Sequence, residues 1–81
     1  MNTLYLLLAQ YGTAHIPLDR CCEDYFGLAP DQARRAATRQ ALPVPAFKGG
    51  AKAAWLVDAR DLAAWLDGLR DDARREWESA R

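Results

Sequence analysis

Residues 17–41 read PLDRCCEDYFGLAPDQARRAATRQA, and this stretch decides the fold. Pro17 opens a helix that carries one apolar stripe at helical spacing. The stripe consists of Leu18, Cys21, Cys22, Tyr25 and Phe26. Gly27 ends this helix, Leu28 fits the hydrophobic position that follows a glycine C-cap, and Pro30 suits the first position of a further helix. Two helices joined by so short a turn, the second more basic than the first, are typical of a helix-turn-helix.

The helix that begins at Pro30 has two contrasting faces. One face is built from small residues, Ala33, Ala36, Ala37 and Ala41. The other face carries Gln32, Arg34, Arg35, Thr38 and Arg39. Small inward residues let a helix approach its neighbour closely, although Gln40 falls on the apolar side and fits less well. Pro43 and Pro45 forbid further helix.

Sequence on either side of this pair completes the predicted order of elements. Residues 3–11 predict a short helix between a cap at Asn2 or Thr3 and Gly12, although so short an apolar run also suits a buried strand. Residues 44–47 and 54–57 predict two strands joined by a glycine-rich turn. Asp58 predicts the start of a long last helix, with Asp61 in its first turn. The stripe of this helix is Leu62, Trp65, Leu66, Leu69, Ala73 and Trp77.

These elements predict a mainly α protein with a small β-hairpin. The expected fold is a winged helix-turn-helix of the MerR or excisionase kind, extended by the long C-terminal helix. The 81 residues suit one such domain over positions 1–81. The only cysteines, Cys21 and Cys22, are adjacent, which favours small buried hydrophobes in a reduced, cytoplasmic protein. The apolar run from Leu4 to Ala9 is too short to span a bilayer, so no membrane partner is expected.

Positive charge is concentrated in the middle of the chain. The formal net charge of the whole chain is zero. Residues 1–31 carry a net charge of −3, residues 32–57 of +5, and residues 58–81 of −2. Local concentration of basic groups is the pattern that binds phosphates, so double-stranded DNA is the expected partner.

The candidate DNA-binding residues lie on the third helix and on the hairpin. They are Gln32, Arg34, Arg35, Thr38 and Arg39 on the helix, and Lys48 and Lys52 in the turn. Arginine can donate in a bidentate way to guanine O6 and N7, and lysines beside two glycines suit phosphate contacts from a wing. Two alternatives stay open, namely a solvated arginine-bearing helix and an ordinary polar turn.

A second candidate surface would bind a protein partner. Asp19, Glu23 and Asp24 give the second helix an acidic outer face, which phosphate would repel, so this face should point away from DNA. The partner-binding candidates are Glu23, Asp24, Arg70, Arg74 and Trp77. A tryptophan near a helix end suits an interface anchor, and a loosely packed end is the alternative; Trp55 and Trp65 are expected in the core.

The sequence contains no pattern that indicates an enzyme. His15 is the only histidine and is interpreted as a loop residue, because no nucleophile or carboxylate lies near it at a catalytic spacing. Neither a phosphate-binding glycine loop nor a metal-ligand cluster is recognisable. We therefore expect no catalytic residues, no metal, no cofactor and no small-molecule substrate.

Blocks of residues across nearly the whole chain resemble the pyocin activator (PrtN-like) family. The blocks are residues 1–11, MNTLYLLLAQY, residues 16–18, IPL, residues 24–26, DYF, and residues 42–44, LPV. The N-terminal block is the most specific, and within the family the chain is most similar to a positive regulator of a programmed lysis cassette. The resemblance implies positive regulation of phage-derived toxin or lysis genes. It also implies antitermination, in which the protein loads from a promoter-proximal DNA element onto RNA polymerase.

The expected function is therefore that of a sequence-specific DNA-binding activator, nucleoid-associated when bound, that also contacts RNA polymerase. One alternative is a protein-interaction module, such as a phage-type inhibitor of a host protein. An architectural, excisionase-like DNA-binding protein is the other.

Overall fold

The structure is a computed structural model that describes residues 2–50 and 52–80. Its elements are α1 (Thr3–Tyr11), β1 (His15–Pro17), α2 (Leu18–Cys21), a π-helical turn (Cys22–Phe26), α3 (Pro30–Thr38), β2 (Ala46–Phe47), β3 (Leu56–Asp58) and α4 (Ala59–Ser79). The protein is mainly helical, with a small antiparallel sheet and a long C-terminal helix, as the sequence predicts.

Helix α1 lies antiparallel to α4. The Asn2 side chain caps α1 by accepting a hydrogen bond from the Leu4 N–H at 2.9 Å, and Gly12 ends it with a positive φ of 73°. At the start of α1, the Thr3 hydroxyl donates to the Asp67 carboxylate. Beyond its end, the Ala14 carbonyl accepts from the Ala59 N–H at 2.8 Å. The prediction of a helix over residues 3–11 is confirmed, and the strand alternative is wrong.

The sheet has three strands in the order β1-β3-β2, and the sequence predicted only two. Val57 of β3 lies between Ile16 of β1 and Ala46 of β2. The sequence analysis missed β1 because three residues are too few to show a periodic pattern. The extended conformation of β1 depends on pairing with β3, about 40 residues later in the chain. His15 therefore lies in an edge strand rather than a loop, and its ring meets Phe47 edge-on at 5.8 Å.

The predicted hairpin strands are shorter and shifted. Strand β2 begins at Ala46 instead of Val44, and β3 covers Leu56–Asp58 instead of residues 54–57. Val44 is buried in the core as part of the connection from α3. Two prolines flank Val44, and a proline cannot donate to a ladder hydrogen bond, so pairing starts only after Pro45.

The helix predicted from Pro17 to Gly27 is real, but it is not uniform. Pro17 is the last residue of β1 and the N-cap of α2, so the helix begins at Leu18. After Cys21 the chain widens into a π-helical turn, which closes when the Gly27 N–H donates to the Cys22 carbonyl. Gly27 has a φ of 67°, as expected for a glycine that ends a helix. The Leu28 N–H also reaches the Cys22 carbonyl, at 3.2 Å.

Helix α3 ends at Thr38, three residues before the predicted end at Ala41. The Ala41 N–H donates to the Ala36 carbonyl at 2.8 Å and the Gln40 N–H to the Ala37 carbonyl at 3.0 Å, which is the Schellman arrangement. This arrangement needs a left-handed residue, and Gln40 takes that role with a φ of 55°. Ala41 is consequently exposed, so its assignment to the inward face was wrong.

One hydrophobic cluster joins the helices to the sheet. Its fully buried large side chains include Ile16, Leu18, Val57 and Leu62, each 0% exposed. Ala33 and Ala37 bring α3 against this cluster, as their small size predicts. Trp55 and Trp65, which were expected in the core, are only partly buried and pack against this cluster.

Candidate functional site

Helix α3 presents its polar face to solvent. Ala33, Ala36 and Ala37 are buried beneath it. All five polar candidates are exposed: Gln32, Arg34, Arg35 and Thr38 on α3, and Arg39 at its C-cap. The division between small inward and long outward residues therefore holds as far as Thr38, although the five candidates differ in what they already contact.

Arg34 is held by two carboxylates. Its Nη1 lies 2.9 Å and 3.0 Å from the two oxygens of Asp19, on α2, and its Nη2 contacts Asp31 one turn earlier on α3. The neighbouring Asp19 charge raises the pKa of Arg34, so the guanidinium stays positively charged. These contacts occupy much of the donor fork that a phosphate or a guanine would need.

Gln32 and Thr38 each make a hydrogen bond within α3 or to its cap. The Gln32 Oε1 accepts from the Ala29 N–H at 3.1 Å and satisfies one backbone donor at the start of the helix. The Thr38 hydroxyl donates to the Arg34 carbonyl at 3.0 Å. The Gln32 amide nitrogen can still donate, and the Thr38 oxygen can still accept.

Arg35 and Arg39 are the more available arginines. They lie four residues apart, Arg35 on α3 and Arg39 at its C-cap, hence on the same side of the helix. Together with Leu28, Gln32 and Ala36 they line a shallow depression of about 400 Å³. The Arg35 Nε donates to the Asp31 carbonyl at 3.4 Å. Across residues 2–50 and 52–80, no carboxylate forms an ion pair with either side chain.

The two lysines flank the turn between β2 and β3. The Lys48 ammonium lies 4.9 Å from the centre of the Trp55 ring, a cation–π contact between neighbours across the hairpin. Lys52 is exposed. The connection from α3 to β2 lines a groove of about 420 Å³, to which Ala37, Gln40 and Ala46 also contribute. The structure thus places the start of the hairpin beside the end of α3.

The acidic partner candidates have different environments. Glu23 and Asp24 are both exposed, but Asp24 also accepts a hydrogen bond at 3.0 Å from the hydroxyl of Tyr11, which is only 7% exposed. Burial raises the pKa of Tyr11, and the bond to Asp24 raises it further, so the phenol stays protonated. Asp24 is therefore also part of the packing between α1 and the π-helical turn, a role that the sequence did not indicate.

The candidates on α4 lie along its second half. Arg70 is tied to the start of α1 through Asp67, at 2.6 Å, and Thr3, at 3.3 Å. Arg74 is exposed and Trp77 is 70% exposed. The interpretation of Trp77 as a side chain packed loosely on its own domain is not supported by this exposure.

Both cysteines are free and buried. Burial raises the pKa of Cys21 to about 11 and also raises the pKa of Cys22, so neither is an activated thiol. The described parts of the chain contain no group of three or more potential metal-ligating side chains of the His, Cys, Asp and Glu types. Within those same residues, no helix combines the length and the apolar character that a membrane span needs.

Comparison with known proteins gives one match. A family model described as the pyocin activator protein PrtN covers residues 3–73. Neither the curated proteins nor the solved structures include a significant match. The match spans every element from α1 to α3, the sheet, and the first two thirds of α4. A family of activators indicates a regulatory role in the activation of transcription. The chain belongs to the family of the pyocin activator protein PrtN.

Proposed function

We propose that this protein is a sequence-specific DNA-binding activator whose reading element is α3. The observation that carries the proposal is the pair Arg35 and Arg39, exposed on one face of a helix that is held close to the core by alanines. Membership of an activator family supports a role in transcription. We propose no catalytic function, no cofactor and no metal, and we expect the protein in the cytoplasm, at the nucleoid when bound to DNA.

The order of elements supports a winged helix-turn-helix reading of the fold. Helix α2 with its π-helical turn is the first helix of the motif, Gly27 lies in the connection, and α3 is the recognition helix. Strands β2 and β3 with the connection between them would be the wing. In such folds the recognition helix enters the major groove.

Different contacts would give affinity and specificity. Arg35 and Arg39 can each reach guanine O6 and N7, with Gln32 and Thr38 as shorter neighbours. Lys48 and Lys52 would hold phosphates beside the groove, and Arg34 would join them only by leaving its carboxylates. The Trp55 ring beneath the Lys48 ammonium restricts where that charge can point.

A salt titration tests the DNA proposal. If all five basic residues of the middle third contact phosphates, log K should fall against log salt with a slope of roughly −4 to −5, and the slope should be shallower by about 0.9 for as long as Arg34 stays paired with its carboxylates. Fluorescence anisotropy with upstream DNA of the protein's own operon, and with a random duplex of equal length, measures this slope. A flat response would favour the alternative of a protein-interaction module.

Substitutions distinguish residues that contact bases from residues that contact phosphates. Arg35→Ala or Arg39→Ala should weaken specific binding by about 1–3 kcal/mol, because a bidentate base contact is lost. Lys48→Ala or Lys52→Ala should weaken binding to specific and random DNA about equally. If both arginine variants bind the specific site as tightly as the parent, α3 is not the reader. Sequence-independent binding with strong bending of the duplex would favour the architectural, excisionase-like alternative.

The activator is further proposed to be an antiterminator that loads from a promoter-proximal DNA element onto RNA polymerase. Loading requires a second surface, and Glu23 with the exposed end of α4 around Arg74 and Trp77 remains after the DNA contacts are assigned. Glu23→Lys and Trp77→Ala should keep DNA binding and lose activation. Asp24 is a poor probe because its substitution also disturbs Tyr11.

Single-round transcription through an intrinsic terminator distinguishes the two ways of raising transcription. Antitermination predicts that the fraction of transcripts reading through rises and that the rise survives removal of free protein after promoter escape. More transcripts with a constant fraction reading through would instead show recruitment of polymerase.

A further inference from the structure

The pairing of Arg34 with Asp19 brings a carboxylate of α2, which the sequence suggested would point away from DNA, against the polar face of α3. We propose that Asp19 limits the DNA affinity of the α3 surface by holding Arg34 away from the nucleic acid. The inference rests on the proposed function. Asp19, an acidic residue of α2, would then control how many cationic side chains of α3 can contact DNA.

The geometry supports a specific contact rather than a diffuse attraction. Arg34 Nη1 is within 3.0 Å of both Asp19 oxygens, while Nη2 is turned to Asp31. Asp19 comes from a different element, so its contact fixes the direction of the Arg34 side chain across the gap between α2 and α3. Asp31 lies on the same helix and moves with Arg34.

The energies allow the contact to limit binding without preventing it. The Arg34 and Asp19 side chains are 44% and 53% exposed, and the loss of an ion pair this exposed changes an equilibrium by at most about fivefold. A phosphate or guanine contact is of similar or greater strength. Asp19 can therefore weaken or prevent one DNA contact of α3, but it cannot abolish the binding that the other cationic side chains provide.

Glu23 provides a matched control on the same acidic face. It lies four residues after Asp19, it is exposed, and it forms no ion pair with an arginine among the residues that the structure describes. Asp19→Asn and Glu23→Gln each remove one negative charge with little change of shape. Only the first removes a charge that Arg34 contacts, leaving at most a neutral hydrogen bond to residue 19.

The experiment is a double-mutant cycle on DNA affinity. The parent, Asp19→Asn, Arg34→Ala and the double variant are titrated with the same specific duplex at several salt concentrations, with Glu23→Gln beside them. Circular dichroism checks that each variant is folded. We expect Asp19→Asn to bind up to about fivefold more tightly than the parent, with a salt slope steeper by about 0.9. In the Arg34→Ala background the gain should fall to that of Glu23→Gln.

Two results would overturn the proposal. Equal gains for Asp19→Asn and Glu23→Gln would mean that Asp19 acts only through general repulsion of phosphate. A loss of affinity in Asp19→Asn would mean that Asp19 positions Arg34 for DNA instead of withholding it. Failure of the proposed function is distinct from both, because the parent itself would then show no salt-dependent binding.

Discussion

Replacing Gln40 with glycine should stabilise the protein. Gln40 is the left-handed residue that ends α3, with a φ of 55°, and its side chain is exposed. A left-handed conformation costs an L-residue with a Cβ about 1–2 kcal/mol. Glycine avoids that cost but loses about 0.5–1 kcal/mol more backbone entropy on folding. The net gain expected from Gln40→Gly is therefore about 0.5–1 kcal/mol.

Thermal denaturation followed by circular dichroism measures this gain. In a domain of this size, about 1 kcal/mol corresponds to a change in Tm of about 4–8 °C. The matched control is Gln40→Ala, which keeps the Cβ and hence the strain, and should leave the Tm nearly unchanged. If Gln40→Gly is no more stable than Gln40→Ala, the positive φ at this position carries no strain and the reasoning fails.

Three further predictions concern the body of the protein. Cys21 and Cys22 should react with a thiol reagent at neutral pH far more slowly in the native protein than in urea. The reason is that both are buried and that the pKa of Cys21 is raised to about 11. Equal rates in the two conditions would contradict their burial. The bonds from Arg60 lower the pKa of Asp58 to about 2, below its value of about 4 in an unfolded chain. The contribution of Asp58 to the free energy of unfolding should therefore be complete above pH 4 and lost as the pH falls toward 2. Asp58→Ala should remove this acid-sensitive contribution and lower the free energy of unfolding by about 1 kcal/mol at pH 7, because the cap of α4 is lost. Denaturant titrations of the parent and the variant at pH 7 and at about pH 2 measure both effects. A variant that loses as much stability on acidification as the parent would contradict the prediction. Leu62→Ala, at a position 0% exposed, should lower the free energy of unfolding by about 2–5 kcal/mol, whereas Leu69→Ala, 48% exposed, should lower it much less.

Sequence predicted best those elements whose ends are set by local signals. Asn2 and Gly12 bound α1, Gly27 ends the π-helical turn, and Asp58 caps α4, each through a contact with a backbone group a few residues away. Strand β1 was missed because its extended form depends on β3, far along the chain. The early end of α3 was missed because a glutamine, instead of a glycine, takes the left-handed position.

The candidate site divides in the same way. Helical periodicity was enough to place Arg35 and Arg39 on the exposed face. It could not show that Arg34 is bound by Asp19, fifteen residues earlier, because the contact depends on how α2 and α3 pack. The hydrogen bond from Tyr11 to Asp24 was hidden for the same reason.

The second half of α4 continues past the start of α1, since Thr3 lies level with Asp67 and Arg70. Its apolar stripe runs on through Ala73 to Trp77 without a covering segment among the described residues. At about 100° per residue, Arg74 falls on one side of this stripe and Glu76 on the other. Such an exposed apolar stripe favours pairing with its own copies.

Both symmetric ways of pairing are opposed by this architecture. Two antiparallel copies would bring Arg74 against Arg74 and Glu76 against Glu76, and like charges at such distances repel. Two parallel copies would match the opposite charges, but the stripe faces the same way as Leu62, so the two folded bodies would occupy the same space. The helix can therefore keep Trp77 exposed while its own copies stay apart, and sedimentation should show a monomer even at high protein concentration.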